Sequence, residues 1–130
     1  MADIDVAALY AHHKSGGAAL TITAVHPEAR FGELRLDGDN VRGFEEKPAQ
    51  ADGFINGGFM VVDRGFLADY LSADRDEFFE RGPMERCAAA GMMRVYRHTG
   101  FWQCMDNQRE YQLLNSLWSS GSAPWTKYWK

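Results

Sequence analysis

The chain has 130 residues, of which 45% are hydrophobic and 25% are charged, with a formal net charge of −4 at pH 7. This length and balance are typical of one globular domain, or of part of a larger one, and they argue against intrinsic disorder. The sequence contains no lysine- or arginine-rich run, which argues against a nucleic-acid-binding protein.

The first residues carry no basic segment followed by an apolar stretch, so no signal peptide is recognisable. No apolar run approaches the ~18 residues that a membrane span needs. We therefore expect a cytoplasmic protein. Its two cysteines, Cys87 and Cys104, form no C-x-x-C pair, and we expect both to be free thiols.

Hydrophobic periodicity and turn residues predict helices that alternate with strands. The first helix begins after Asp5 as a cap, carries Leu9 and His13 at helical spacing, and ends at residues 16–17, a glycine pair. In chain order there follow strand 18–25, a hairpin of 32–36 and 40–46, strand 54–62, helices 65–71 and 83–90, strand 92–98, and helix 107–118.

The order of these segments predicts an α/β sandwich in which the hairpin forms a lobe. Strand 18–25 is apolar almost throughout, which indicates burial on both faces in a parallel or mixed sheet. On the last helix, one apolar stripe is predicted from Tyr111, Leu114 and Trp118.

The aromatic tail, SAPWTKYWK, is predicted to be irregular. Its rings at Trp125, Tyr128 and Trp129 are too hydrophobic as a cluster to stay in water, so we expect them to be buried in an interface, within one chain or between chains.

The first candidate site is the turn Glu45-Glu46-Lys47-Pro48. Proline cannot donate to a strand ladder, so a strand is expected to end here and to point its last side chains at a loop. The carboxylate of Glu46 can accept from sugar hydroxyls, and the ammonium of Lys47 can meet a phosphate. The alternative is a solvated charged turn, which is the usual role of such a cluster.

The second candidate is the glycine pair in the predicted strand 54–62, together with the asparagine before it. The amide of Asn56 can donate to and accept from a hydroxyl group, which suits sugar recognition. Glycine at Gly57 and Gly58 would let a ligand touch the main chain. The alternative is a β-bulge or tight packing between strands.

The third candidate is Asp106, which ends the run GFWQCMD and precedes the last predicted helix. Its carboxylate could hold Mg²⁺, which prefers oxygen ligands and commonly takes one or two carboxylates together with phosphates and water. The alternative is that Asp106 caps the helix. The histidines show no metal-ligand spacing, and we expect them at the surface or in packing roles.

Taken together and in this order, the motifs resemble the sugar-1-phosphate nucleotidyltransferases, and among these the glucose-1-phosphate cytidylyltransferases. The resemblance covers nearly the whole chain. Its matching runs are TITAVHPEARFGEL, FEEKP, INGGFMV, GPMERCAAAG, YRHTGFWQCMD and LWSSGSAPW.

The resemblance implies a Rossmann-like mixed-sheet α/β/α sandwich and transfer of CMP from CTP to a sugar 1-phosphate, with Mg²⁺ as cofactor. It also implies a homo-oligomer and a place in nucleotide-sugar biosynthesis of the kind that serves lipopolysaccharide O-antigen. The backbone at Gly32 would border the sugar phosphate, Glu46 would bind glucose hydroxyls, and Lys47 would bind the phosphate as a catalytic residue. Asn56 would line the sugar pocket, and Asp106 would be one of two aspartates that hold magnesium.

The resemblance also implies parts that this sequence lacks: a glycine-rich loop that cradles the nucleotide, and the other magnesium aspartate. We therefore expect residues 1–130 to be the C-terminal, sugar-phosphate-binding half of the domain, without the N-terminal nucleotide-binding half and without activity alone. Strand 18–25 is then expected at an unpaired sheet edge. A stand-alone sugar-phosphate-binding module and a non-catalytic fragment remain open alternatives.

Overall fold

The computed structural model describes residues 1–27, 33–37, 40–45 and 53–129, with 33–37 and 40–45 described by their backbone alone. In chain order the elements are α1 (Val6–Gly16), β1 (Leu20–Val25), β2 (Glu33–Asp37), β3 (Asn40–Glu45), β4 (Ile55–Val62), α2 (Arg64–Tyr70), α3 (Pro83–Ala89), β5 (Met93–His98), α4 (Gln108–Ser119) and a 3-10 turn (Pro124–Thr126). Within these ranges, no helix is both long enough and apolar enough to cross a bilayer.

The main sheet has three strands in the order β4-β1-β5. Strand β1 pairs antiparallel with β4 and parallel with β5, so the predicted mixed sheet is confirmed. All six residues of β1 are buried, as its apolar sequence predicts. The prediction that this strand lies at an unpaired edge is wrong, because two strands from later in the same chain flank it on both sides.

Helix α1 covers one face of the sheet. The side chain of Asp5 accepts from the backbone N–H of Ala8 at 2.9 Å, and the helix ends at Gly17, whose φ of 64° lies in the left-handed region. The buried imidazole of His13 lies with Nδ1 2.9 Å from Oγ1 of Thr21 on β1, which ties the helix to that face. Both predicted ends of this helix are therefore confirmed.

Helices α2 and α3 cover the opposite face. Successive residues of a strand point to opposite sides, so Leu20 and Ile22 face away from α1. They form the main core cluster with Phe66 of α2 and with Met84 and Cys87 of α3. Helices on both faces of a mixed sheet confirm the predicted α/β/α architecture. Both cysteines are free, also as predicted.

Strands β2 and β3 form a separate antiparallel pair, which confirms the predicted hairpin. The hairpin lies between β1 and β4 in the chain, so the polypeptide leaves the main sheet at the end of β1 and returns at the start of β4.

Helix α4 buries a different face from the predicted one. Leu114 is buried against Ala123 and Trp125, but Tyr111 and Trp118 of the predicted stripe are about half exposed. The buried face instead begins at Glu110, whose carboxylate is held by hydrogen bonds at the start of the helix. The buried face thus includes a polar side chain that the apolar pattern does not mark.

The aromatic tail is ordered and partly buried within the chain. It contains a 3-10 turn, so the prediction of an irregular tail is wrong there. Trp125 is buried and packs on Phe101. For this ring, the predicted burial within one chain is confirmed. Trp129 is 62% exposed, although its ring lies 6.0 Å from that of Trp118, and Tyr128 is also exposed. Burial of these two rings between chains stays a prediction.

Candidate functional site

The candidate site lies where the parallel strands β1 and β5 end. At this edge Val25 pairs with both Ile55 and His98, so the last residues of β1 and β5 meet the first residue of β4. In open α/β sheets, ligands bind beyond the carboxyl ends of the strands. The start of β4 and the loop after β5 reach this edge, and they carry two of the three predicted motifs, those of Asn56 and Asp106.

Three of the predicted site residues lie outside the described residues. These are Gly32, before β2, and Glu46 and Lys47, directly after β3. Their roles stay predictions. Their place in the sequence puts the last two in the connection that leads from the hairpin back to β4.

The glycine pair forms a bulge in β4. Ile22 pairs with Met60 and Ala24 pairs with Asn56, so β4 uses two more residues than β1 between these pairs. Gly58 has a φ of 85°, and its N–H donates to Oδ1 of Asn56 at 2.8 Å. The bulge that was the alternative for this motif is thus present, and ligand approach here stays a prediction.

Gly57 packs tightly against β1. A Cβ atom at this position would lie 2.7 Å from Cγ1 of Val25 and 3.1 Å from the carbonyl oxygen of Thr23, and both distances are shorter than ordinary contacts. Only glycine therefore fits without displacing a neighbour. Asn56 is exposed beside this contact, with its amide oxygen already accepting from the bulge.

Trp102 connects the loop after β5 to the bulge. Its indole Nε1 donates to the carbonyl oxygen of Gly57 at 2.9 Å. On the other side, Trp102 pairs with Ala2 in an antiparallel bridge, and the N–H of Gln103 donates to the carbonyl of Met1 at 2.8 Å. The sequence does not reveal the indole bond, because it joins a side chain to a backbone carbonyl 45 residues away. The other two contacts join backbone groups from opposite ends of the chain.

His98 and Asp3 join the end of β5 to the N-terminal segment. Nε2 of His98 lies 3.0 Å from Oδ1 of Asp3, and both side chains are largely buried. This is an ion-pair distance, although Oδ1 is not aligned with a hydrogen-bond donor. The same nitrogen lies 3.1 Å from the carbonyl oxygen of Phe101. The pair therefore helps to fix the beginning of the loop that leads to Asp106.

Asp106 is exposed and does not cap α4. The cap is Asn107, whose Oδ1 accepts from the N–H of Glu110 at 3.0 Å, so the capping alternative for Asp106 is wrong. Instead the N–H of Asp106 donates to Oε2 of Glu110 at 2.7 Å. The thiol of Cys104 donates to the other oxygen of that carboxylate at 3.4 Å.

The donor set around Asp106 is compatible with a magnesium ion. Ligand atoms of Cys104, Asp106 and Glu110 all lie within 4.8 Å of one another. In the described ranges, the carboxylate of Asp106 has neither a hydrogen bond nor an ion pair, so it offers oxygen ligands at the surface. Magnesium needs only one or two carboxylates if phosphates and water complete its octahedron. A thiol is too soft a ligand for Mg²⁺, so Cys104 adds nothing to such a site.

A group of rings and one cation lies at the same edge and was not predicted. The imidazole of His26 stacks on Phe54 with ring centroids 3.9 Å apart, and its Nδ1 lies 3.2 Å from the carbonyl oxygen of Gly53. The guanidinium of Arg97 lies 5.6 Å from the centre of the Phe54 ring. This exposed positive charge near the end of β5 adds electrostatic support for an anionic ligand.

An open cleft of about 300 Å³ lies at the opposite end of the sheet, lined by residues that include Gly17, Asp63 and Arg64. It borders the start of β1 and the start of α2. Among the described residues, neither Asn56 nor Asp106 lines it, so the cleft does not coincide with this part of the candidate site.

Comparisons with known proteins find relatives that match nearly the whole chain. The chain is 38% identical over its whole length to glucose-1-phosphate cytidylyltransferase of Salmonella typhi, and 36% identical over 99% of its length to a probable glucose-1-phosphate cytidylyltransferase of Bacillus subtilis. It spans 49% and 50% of those proteins, or about half their length.

A solved structure shares the fold. It is a putative glucose-1-phosphate thymidylyltransferase from Bacillus anthracis in complex with a sucrose, and it matches 90% of this chain and 50% of its own with a TM-score of 0.58 at 14% identity. The sequence model of the nucleotidyl transferase family matches residues 3–106, which is most of the chain. The protein therefore belongs to the nucleotidyl transferase family.

Proposed function

We propose that this chain supplies the sugar 1-phosphate side of a glucose-1-phosphate cytidylyltransferase. The reaction is transfer of CMP from CTP to glucose 1-phosphate, which gives CDP-glucose and pyrophosphate. Because the chain spans about half of its curated relatives, turnover is proposed only for a protein that also has a nucleotide-binding part. The observation that carries the proposal is 38% identity over the whole chain to a protein of that name.

The proposed chemistry needs no protein nucleophile. An oxygen of the sugar phosphate forms a bond to the α-phosphorus of CTP, and the bond from that phosphorus to the pyrophosphate oxygen breaks. Both reactants are anions, so the protein has to bring like charges together and hold them in line. A magnesium ion, when bound, would neutralise part of this charge.

Cationic and hydrogen-bonding groups would hold the sugar phosphate at the carboxyl edge of the sheet. We assign Lys47 to the phosphate, Glu46 to glucose hydroxyls and the backbone at Gly32 to the border of the phosphate pocket. The ammonium of Lys47 is a compact charge that suits a phosphate. Arg97, exposed near the end of β5, would add to the positive potential that attracts the anion.

Two of the assigned residues, Asn56 and Asp106, are among those that the structure describes. The amide oxygen of Asn56 accepts from the bulge, so its NH₂ group is the half better placed to donate to a sugar hydroxyl. Asp106 would hold magnesium, which fits its exposed carboxylate. The bond from Trp102 to Gly57 would keep the strand of Asn56 and the loop of Asp106 in a fixed relation.

Calorimetric titration of the chain with glucose 1-phosphate tests the proposal. We expect binding that Lys47→Ala weakens by about 10- to 150-fold, because loss of a charge-assisted hydrogen bond costs ~1.5–3 kcal/mol. Lys14→Ala, which removes a lysine in the last turn of α1, is the matched control and should bind like the wild type.

Glucose without phosphate should bind far more weakly than glucose 1-phosphate. Equal affinity for the two ligands would mean that the protein does not recognise the phosphate, which would contradict the assignment of Lys47. An unchanged affinity in Lys47→Ala would contradict it as well.

A further inference from the structure

Glu110 is a buried carboxylate that none of the predicted motifs includes. It is only 6% exposed, whereas glutamate is almost never so buried unless it is paired. Its two oxygens are engaged by different groups, because Oε2 accepts from the N–H of Asp106 and Oε1 accepts from the thiol of Cys104. The burial is therefore supported by hydrogen bonds rather than by packing alone.

The contact with Asp106 differs from ordinary helix capping. In a capping box, the carboxylate at the third helical position returns to the N–H of the cap residue. Here the cap is Asn107, and Glu110 reaches one residue further, to Asp106. The distance of 2.7 Å is in the range of charge-assisted hydrogen bonds. The carboxylate thus fixes the backbone of the residue proposed to hold the cation.

We propose that Glu110 is a positioning residue for Asp106, which holds its backbone so that the exposed carboxylate is ready to bind a divalent cation. This inference rests on the proposed function of Asp106. Glu110 acts through this hydrogen bond and not as a ligand, since both its oxygens already accept hydrogen bonds. Residues that support a metal ligand in this way raise metal affinity by restricting the ligand to one orientation.

Manganese binding to the complete 130-residue chain tests the inference without any activity assay. Mn²⁺ is the probe, because it accepts the same oxygen ligands as Mg²⁺ and broadens the NMR signals of nearby amides. We expect Mn²⁺ to broaden the amide signal of Asp106. Glu110→Asp keeps a carboxylate, but its shorter side chain no longer reaches Asp106, so we expect it to weaken the apparent affinity by about tenfold or more.

Two control variants separate positioning from general helix stability. Glu85→Gln removes a glutamate from the first turn of α3, where the side chain is exposed, and should bind Mn²⁺ like the wild type. Asn107→Gly removes the cap side chain but leaves Glu110 in place, and it should lose less than twofold in affinity, since glycine at a cap costs only a few tenths of a kcal/mol. If Glu110→Asp unfolds by circular dichroism, Glu110→Ala is used instead, because it also removes the acceptor of the Asp106 N–H.

The outcomes are distinguishable. A folded Glu110→Asp variant with wild-type Mn²⁺ affinity overturns the role of Glu110 and leaves Asp106 as the cation ligand. An equal loss in Asn107→Gly and Glu110→Asp also overturns it, because helix capping alone would then explain the effect. A wild-type chain whose Asp106 amide does not respond to Mn²⁺ overturns the cation site of the proposed function and the inference together.

Discussion

Gly57 offers the most specific test of how the candidate site is built. The structure presses β4 against β1 at this residue, with no room for a methyl group. Gly57→Ala would place its Cβ 2.7 Å from Cγ1 of Val25 and 3.1 Å from the backbone oxygen of Thr23. Because the backbone of β1 cannot move without disturbing its strand pairing, we expect β4 to shift away from it. This shift would weaken the hydrogen bond from Trp102 to Gly57.

The expected cost follows from these contacts. Forcing an extra methyl group into a packed position costs ~1–3 kcal/mol. Val25→Ala removes the nearer of the two obstacles, so Gly57→Ala should cost about 1 kcal/mol less in that background than in the wild type. The oxygen of Thr23 remains close in both backgrounds, so the rescue should be incomplete.

Urea unfolding followed by tryptophan fluorescence measures these differences as free energies of unfolding. The matched control is Gly53→Ala, because a Cβ at Gly53 meets no atom within 4 Å. Its stability should stay within ~0.5 kcal/mol of the wild type, as for other surface substitutions. If Gly57→Ala is as stable as Gly53→Ala, or if Val25→Ala gives no rescue, the packing of β4 on β1 described above is wrong.

Two further predictions concern the loop and the core. Trp102→Phe leaves the carbonyl of Gly57 without its donor and should lower the free energy of unfolding by ~1–3 kcal/mol in the same urea titration. The control Trp118→Phe changes an exposed ring and should lower it much less. Equal losses in the two variants would count against the hydrogen bond from Trp102. Burial raises the pKa of the Cys87 thiol above its ordinary value of 9.0, so the folded state keeps a proton that the unfolded state releases. The free energy of unfolding should therefore fall as the pH rises above about 9. This fall should be smaller in Cys87→Ala, and identical pH profiles for the two proteins would refute the prediction.

Elements specified by local chemistry were predictable from the sequence. The ends of α1 follow from Asp5, which caps the first turn, and from Gly17, which adopts the left-handed conformation that glycine allows. The burial of β1 on both faces follows from its apolar residues, which suit a strand covered on both sides. Such features depend only on residues a few positions apart, so a single sequence contains the information that specifies them.

Features that depend on partners outside the hydrophobic pattern were not predictable. From the sequence, β1 was expected at a sheet edge, because nothing in it shows that β4 and β5 take the two neighbouring positions. The buried face of α4 was also misplaced, because the periodicity of Tyr111 and Trp118 says nothing about the hydrogen bonds of the buried Glu110. A pairing across the fold decides the first case, whereas the second involves hydrogen bonds to residues only four and six positions away.

The candidate site shows the same division. Asn56 and Asp106 were found from short motifs. Asn56 lies at the start of β4, beside the end of β1, and Asp106 lies in the loop that follows β5. Trp102 and Glu110 were not found, since their partners are a backbone carbonyl and a backbone amide, which no side-chain motif records.

The central claim is that a sugar 1-phosphate binds at the carboxyl edge of β1 and β5, and NMR titration of the ¹⁵N-labelled chain with glucose 1-phosphate tests it most directly. We predict that the amide signals of Asn56, Gly57 and Asp106 and the indole signal of Trp102 shift together, while those of Gly17 and Arg64 at the opposite cleft stay in place. Shifts confined to Gly17 and Arg64, or no shifts at millimolar ligand, would contradict the claim.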